Sequence, residues 1–252
     1  MCYNEIMAEK VNIEDYIALY EEGLKLDQIK PLKNQTYKIF KASGLDIRIV
    51  KRDKTYDNAM AFQKIKHFTV NNEYFYMIPV TTVKETIVGF ILRGVTKSDY
   101  ATVSREFSDN GRRVPLMFGF NKKFESFDNH ETCPPIVICE GSKDCIFLKQ
   151  FYPYTLAINT SSMGLNAQVL INLSNKFVLA YDNDKAGQEG IARDKRTFRG
   201  LGAQVVSLEL DKARDENGKL LIKDCSDYLS YPDKLPKLKE ELTYKIKRVM
   251  SF

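Results

Sequence analysis

The sequence predicts an α/β protein: a parallel sheet flanked by helices over residues 131–252, preceded by a basic half of mixed α+β character over residues 1–130. Three observations predict it. Short apolar runs alternate with helix-length stretches through the C-terminal half, the pattern of successive βαβ units. Those runs are almost continuously apolar, as strands covered on both faces must be. Charge is also split along the chain: residues 1–30 hold 3 basic and 7 acidic side chains, 31–123 hold 17 and 8, and 131–252 hold 18 and 16.

In the N-terminal half, apolar residues at helical spacing mark a helix near 12–26, and apolar runs at 74–79 and 87–93 form a hairpin. HETCPP at 130–135 breaks the pattern and places the boundary between the halves near 129–135. The strand IVICE (136–140) follows, then Gly141 and a helix over 143–151. TLAINT (155–160) is the second strand, followed by the turn SSMG (161–164) and a helix over 167–173. A third strand spans 177–182, a helix 185–199, and a fourth strand, AQVVSLEL, 203–210. Right-handed crossovers make these four strands parallel. Residues 235–250 show helical apolar spacing with lysines between, which suits a capping helix, with helicase docking as the alternative.

Bulk composition excludes several classes. With 44% hydrophobic and 28% charged residues the chain is ordinary for a globular protein. No apolar run is long enough to span a membrane, and residues 1–10 lack a secretory h-region, so a cytoplasmic location and no membrane partner are expected. Cys2, Cys133, Cys139, Cys145 and Cys225 form no C-x-x-C pair, and His67 and His130 lie far from any ligand spacing. Neither zinc nor a disulfide framework is expected; the cysteines read as small buried hydrophobes.

Function concentrates on carboxylates. The third strand runs directly into Asp182 and Asp184, with Gly187 close behind. Like charges so close repel unless a cation lies between them, whereas a lone Asp at a strand–helix turn serves as a helix cap. The D-x-D pair alone leaves both readings open. Ligands bind beyond the carboxyl ends of parallel strands, where the first strand ends at Glu140 and the third at Asp182. If those strands are neighbours, Glu140, Asp182 and Asp184 converge on one edge. Asp144 stands one turn into the first helix, and Asp224 follows the fourth strand. An all-oxygen set of this kind suits Mg²⁺, which completes its shell with water and substrate phosphate. The SSMG turn adds free N–H groups for a phosphate, or is an ordinary turn and cap.

EGSKD (140–144), the SSMG turn and DNDKAG (182–187) resemble the three signature segments of the Toprim domain. That domain is shared by DnaG-type primases, type IA and type II topoisomerases, OLD-type nucleases and RNA-maturation nucleases. KDCSDYL (223–229) resembles the segment closing this domain in phage and organellar primase–helicases; the likeness covers about residues 134–230. Haloacid-dehalogenase-type phosphatases also carry D-x-D after a strand, but Ala186 stands where they have Thr or Val.

The N-terminal half selects among Toprim enzymes. FYMIPV (75–80), TIVGFILRGV (86–95) and RRVPLMFGFNK (112–122) resemble, in order and spacing, the core that precedes Toprim in DnaG-type primases. This resemblance implies template-directed joining of ribonucleotides into primers on single-stranded DNA. Glu140, Asp182, Asp184 and Asp224 would hold Mg²⁺ or Mn²⁺, most simply two ions, with Asp144 behind them. Glu140, Asp182 and Asp184 would be catalytic, Glu140 serving as ligand or general base. Arg93, Arg112, Arg113, Lys122 and Lys123 would line the groove for template and nucleoside triphosphate phosphates. Phe118 and Phe120 are expected in the core. No zinc-binding set and no G-x-x-x-x-G-K-[ST] occur, so a bare catalytic core is expected, with a helicase or a separate initiation factor as partner. The alternatives are a metal-dependent Toprim nuclease and a non-catalytic nucleic-acid-binding module; a topoisomerase lacks room for its tyrosine-bearing domain.

Overall fold

The computed structural model describes residues 13–22, 24–25, 66–70, 73–81, 86–94, 100–104, 117–120, 124, 133–158 and 164–251. Pro134 and Pro135 cannot continue a ladder, and immediately beyond them the apolar run Ile136–Cys139 enters the centre of a parallel sheet as β6. Its neighbours are β7 (Thr155–Ala157) on one side and β8 (Lys176–Ala180) on the other, and β9 (Gln204–Ser207) lies outside β8. The register sets Cys139 opposite Ala157 and Ala180, so the carboxyl ends of β6, β7 and β8 are level. The neighbouring placement of the first and third strands of this half is therefore realised.

Helices cover both faces. α2 (Ser142–Leu148) follows β6, α3 (Gly164–Ile171) precedes β8, and α4 (Lys185–Gly200) joins β8 to β9. Phe198 of α4 stacks on Phe177 of β8 with ring centroids 4.2 Å apart, both fully buried. A 3₁₀ helix (Cys225–Ser230) leads to the final helix α5 (Leu235–Met250). α5 buries Leu238, Leu242 and Val249 at helical spacing and packs against β8 and β9, the capping role expected for it. Among the described residues no helix is long and apolar enough to cross a membrane.

The N-terminal half forms α1 (Ile13–Glu22) and an antiparallel sheet of β1 (Leu24–Lys25), β2 (Lys66–Val70), β3 (Glu73–Thr81), β4 (Ile87–Gly94) and β5 (Tyr100–Ser104), in that order. The β3–β4 pair is the expected hairpin. Ile78, Val80, Val88 and Ile91 share one buried cluster with Phe118, Val137, Cys145 and Phe147, which joins this sheet to one face of the parallel one. Phe118 exchanges two backbone hydrogen bonds with Ala157, 2.8 and 2.9 Å, extending the parallel sheet beyond β7 by a bridge. Gly119 there has φ +107°, and a Cβ would lie 2.7 Å from Cys145 Sγ, so only glycine fits. Phe118, Phe120 and the described cysteines (Cys133, Cys139, Cys145, Cys225) are buried, as expected.

Strand ends differ from expectation: β7 stops at Ala157 and β9 at Ser207, short of 160 and 210. β6 stops at Cys139 and β8 at Ala180, so Glu140 and Asp182 lie beyond the ladder rather than closing it. The reason is a competing acceptor: the Asp182 N–H donates to Glu140 Oε1 at 3.1 Å. The carboxylate thus replaces a carbonyl and releases both residues from strand geometry.

Candidate active site

Three segments meet at the carboxyl edge of the parallel sheet. The first is Glu140, one residue past β6. Its carboxyl is pushed up by burial and next by the charge of Asp182, against the Asp182 N–H that it accepts. The second is Asp182-Asn183-Asp184, between β8 and α4. Burial also raises the Asp182 carboxyl, although Lys223 opposes the rise. Asp184 behaves oppositely. It caps α4, accepting the Gly187 N–H at 2.9 Å, and that bond is the main cause holding its carboxyl below the usual range. Of the two sequence readings of D-x-D, the helix cap is realised at Asp184, and the pair also forms a salt bridge with a lysine.

That cation is Lys223, at the start of the third segment. Its Nζ stands 3.2 Å from Asp182 Oδ2 and 3.2 Å from Asp184 Oδ2. Burial works against its charge, but hydrogen bonds and the charges of the two aspartates prevail and raise its pKa. The Lys223 backbone is clamped: its N–H donates to Asp227 Oδ2 at 2.8 Å and its carbonyl accepts the Asn183 N–H at 2.6 Å. Asn183 is the hinge of the turn, its Nδ2 donating to the carbonyls of Asp211 (2.9 Å) and Ile222 (3.3 Å). The middle residue of D-N-D therefore ties the turn to the chain that returns with Lys223.

Asp224 and Asp144 form a second layer. Asp224 caps the 3₁₀ helix in a capping box with Asp227, accepts the Ser226 hydroxyl at 2.6 Å, and pairs with Lys143 Nζ at 3.0 Å. Burial works against its charge, yet Lys143 and the Ser226 hydroxyl keep its carboxyl below the usual range. Asp144 is only 5% exposed and accepts the Ser226 N–H at 2.9 Å through Oδ1. Burial first, and then Asp224, push its carboxyl well up. The arrangement therefore couples Asp224 to Lys143 and the 3₁₀ helix. It places Asp144 behind Asp224, joined to the same 3₁₀ helix through the Ser226 N–H.

Gly187 permits the turn. A Cβ there would stand 2.1 Å from the Asp182 carbonyl oxygen, inside any tolerable contact. At the base of the site the Tyr181 hydroxyl donates to Asp194 Oδ2 at 2.9 Å, fastening the end of β8 to α4.

The donor set fits a hard divalent ion in chemistry: it is all carboxylate, and an ammonium group already bridges Asp182 and Asp184. Among the described residues no three His, Cys, Asp or Glu side chains are arranged to hold a metal ion. Lys223, Lys143, Asn183 and Ser226 are the site residues that sequence reasoning missed. The alternation of basic and acidic residues in K-D-C-S-D, on a segment already singled out, was the available signal.

Arg93 lies on β4, in register with Tyr76 of β3 and Tyr100 of β5; its side chain lies outside the described residues. Arg112, Arg113, Lys122, Lys123 and the serines of the SSMG turn also lie outside them.

Residues 137–220 match the Toprim-like family. They form a Toprim domain, and the parallel sheet with its preceding antiparallel sheet has the fold of DnaG-type primase cores. A DnaG catalytic core aligns over 89% of this chain and 77% of its own length, with TM-score 0.58 and 15% identity. A DnaG primase catalytic domain bound to single-stranded DNA aligns over 92% and 77%, with TM-score 0.57 and 17% identity. The primase fragment of the bacteriophage T7 primase-helicase aligns over 72% of this chain and 66% of that one, with TM-score 0.50 and 16% identity. No curated protein matches the chain by sequence.

Proposed function

We propose that the protein is the catalytic core of a DNA primase that joins nucleoside triphosphates into short primers on single-stranded DNA. The observation that carries this reading is the meeting of Glu140, Asp182 and Asp184 at the carboxyl edge of neighbouring strands, in a chain with a primase-type N-terminal sheet. The DnaG structure with single-stranded DNA supports the choice of template, and the T7 fragment supports a helicase as partner.

Mg²⁺ or Mn²⁺ at Glu140, Asp182 and Asp184, with Asp224 next to them, would neutralise the triphosphate and acidify the attacking 3′-hydroxyl. The chain's own residues do the rest. Glu140 Oε1 is committed to the Asp182 N–H, which leaves Oε2 to accept the hydroxyl proton, and burial shifts its affinity for that proton toward neutrality. Asp184 is held charged by its capping bond. Arg93, Arg112, Arg113, Lys122 and Lys123 would position template and triphosphate, guanidinium forks gripping phosphate while lysines follow the backbone without reading bases.

The test is incubation of the full chain with single-stranded DNA, labelled nucleoside triphosphates and Mg²⁺ or Mn²⁺, scoring both synthesis and cleavage. Template-dependent dinucleotides and longer products are expected, and Arg93→Ala should lower their yield. Cleavage of the template with no product from any nucleotide mixture would replace the primase with a Toprim nuclease. Binding without either reaction would leave a nucleic-acid-binding module.

A further inference from the structure

We propose that Lys223 is the resident counter-cation of the Asp182–Asp184 pair, and that a divalent ion enters by displacing its ammonium group. The inference rests on the metal-site reading above and adds a competitor to it. Nζ is equidistant from Asp182 Oδ2 and Asp184 Oδ2, at 3.2 Å, which is the place a bridging cation would take. Two features make displacement feasible without unfolding. The backbone of Lys223 is pinned by Asp227 Oδ2 and by the Asn183 N–H, so the segment stays in place when the side chain leaves. The side chain itself is 54% exposed, so it can swing toward solvent.

The consequence is a site whose repulsion is partly offset before metal binds, since one ammonium bridges two aspartates, unlike the self-repelling cluster expected of aspartates alone. Metal then has to compete with a covalently tethered monovalent cation. Lys223 also differs from Lys143, which is paired with Asp224 and is less exposed. Once expelled, the ammonium stands beside the metal-facing carboxylates, where a triphosphate would arrive, and phosphate oxygens offer it a new partner. Lys223 thereby acts as a positioning residue.

The experiment measures Mn²⁺ binding to the full chain by electron paramagnetic resonance, without nucleotide, for wild type, Lys223→Met and Lys223→Gln. Removing one positive charge in contact with both aspartates should tighten binding roughly tenfold. Melting curves identify a variant that fails to fold, and the second substitution then carries the comparison. In parallel, reductive methylation of Lys223, followed by mass spectrometry, should accelerate in wild type when Mg²⁺ is added, because the freed amine is no longer held between carboxylates. Equal or weaker Mn²⁺ binding by the folded variants, or a methylation rate unchanged by saturating Mg²⁺, would overturn the displacement while the metal site stands. Absence of Mn²⁺ binding in wild type and variants alike would overturn both.

Discussion

Gly187 offers a sharp test of the geometry at the site. In a helix, alanine is favoured over glycine by about 0.8–1 kcal/mol, so Gly→Ala in α4 should stabilise wherever there is room. At Gly200 there is room, with no heavy atom within 4 Å of a built Cβ. At Gly187 that Cβ would lie 2.1 Å from the Asp182 carbonyl oxygen and 2.8 Å from its carbon. The obstacle is backbone, which cannot rotate away as a flexible side chain would. Forced overpacking costs about 1–3 kcal/mol, and a clash with backbone belongs at the upper end. Subtracting the helix preference leaves Gly187→Ala destabilised by about 1–2 kcal/mol, or about 2–8 °C in Tm for a chain of this size. Gly200→Ala should gain about 0.4–1 kcal/mol. Paired thermal melts monitored by circular dichroism measure both. The displaced Asp182 carbonyl also moves its carboxylate, so primer synthesis by Gly187→Ala should fall at temperatures where the variant is still folded. If Gly187→Ala melts at or above wild type, the tight approach of the D-N-D turn to α4 is refuted.

The other predictions concern charge. Asp184→Asn keeps an oxygen for the Gly187 N–H and should melt near wild type yet lose synthesis, whereas Asp184→Ala should also lose about 1 kcal/mol of cap stability; equal activity in wild type and Asp184→Asn would reduce Asp184 to a cap. Glu140→Gln and Asp182→Asn should each abolish synthesis while the fold persists, checked by product gels alongside melting curves. The Asp144 carboxyl is raised by burial first and then by Asp224. It therefore binds its proton more tightly folded than unfolded, and its contribution to stability is complete below about pH 4 and lost as pH rises through the folded value. Asp144→Asn keeps the acceptor for the Ser226 N–H and should flatten that decline above about pH 4; a steeper decline in the variant would show that the ionised carboxylate stabilises. Single-stranded DNA binding by the full chain should weaken steeply with salt, and Arg93→Ala, Arg112→Ala and Arg113→Ala should flatten the slope; a slope unchanged by all three would make the basic block only a solvated surface.

The parallel sheet was legible because burial on both faces writes itself into consecutive residues: IVIC and KFVLA admit few other placements. The separation of Glu140 from Asp182 in sequence, and their union in space, followed from the rule that ligands gather beyond strand ends. The exact ends did not follow, because Glu140 captures the Asp182 N–H, a side-chain bond across 42 positions of separation that no local pattern announces. Lys223 was missed for a related reason. Its role depends on a return of the chain from β9 through Asp211 and Ile222, held by the Asn183 amide, and the alternating charges of K-D-C-S-D mark the segment without marking where its lysine goes.

The electrostatics divide labour among the three carboxylates in a way sequence could not. Asp184 gains a backbone N–H and a lysine, and remains the more firmly ionised. Glu140 and Asp182 are raised by burial, so each holds a proton at higher pH than an ordinary carboxyl. In the proposed reaction a proton released from an attacking hydroxyl would be better received by Glu140 than by Asp184, whose Oδ1 is bound to the Gly187 N–H and whose Oδ2 faces Lys223. Displacing Lys223 removes its lowering influence from Glu140 and Asp182 at the moment when a divalent charge would replace it. If the proposed exchange takes place, Asp182 and Asp184 face a cation before and after it, while the Gly187 N–H holds Asp184 in its capping role throughout.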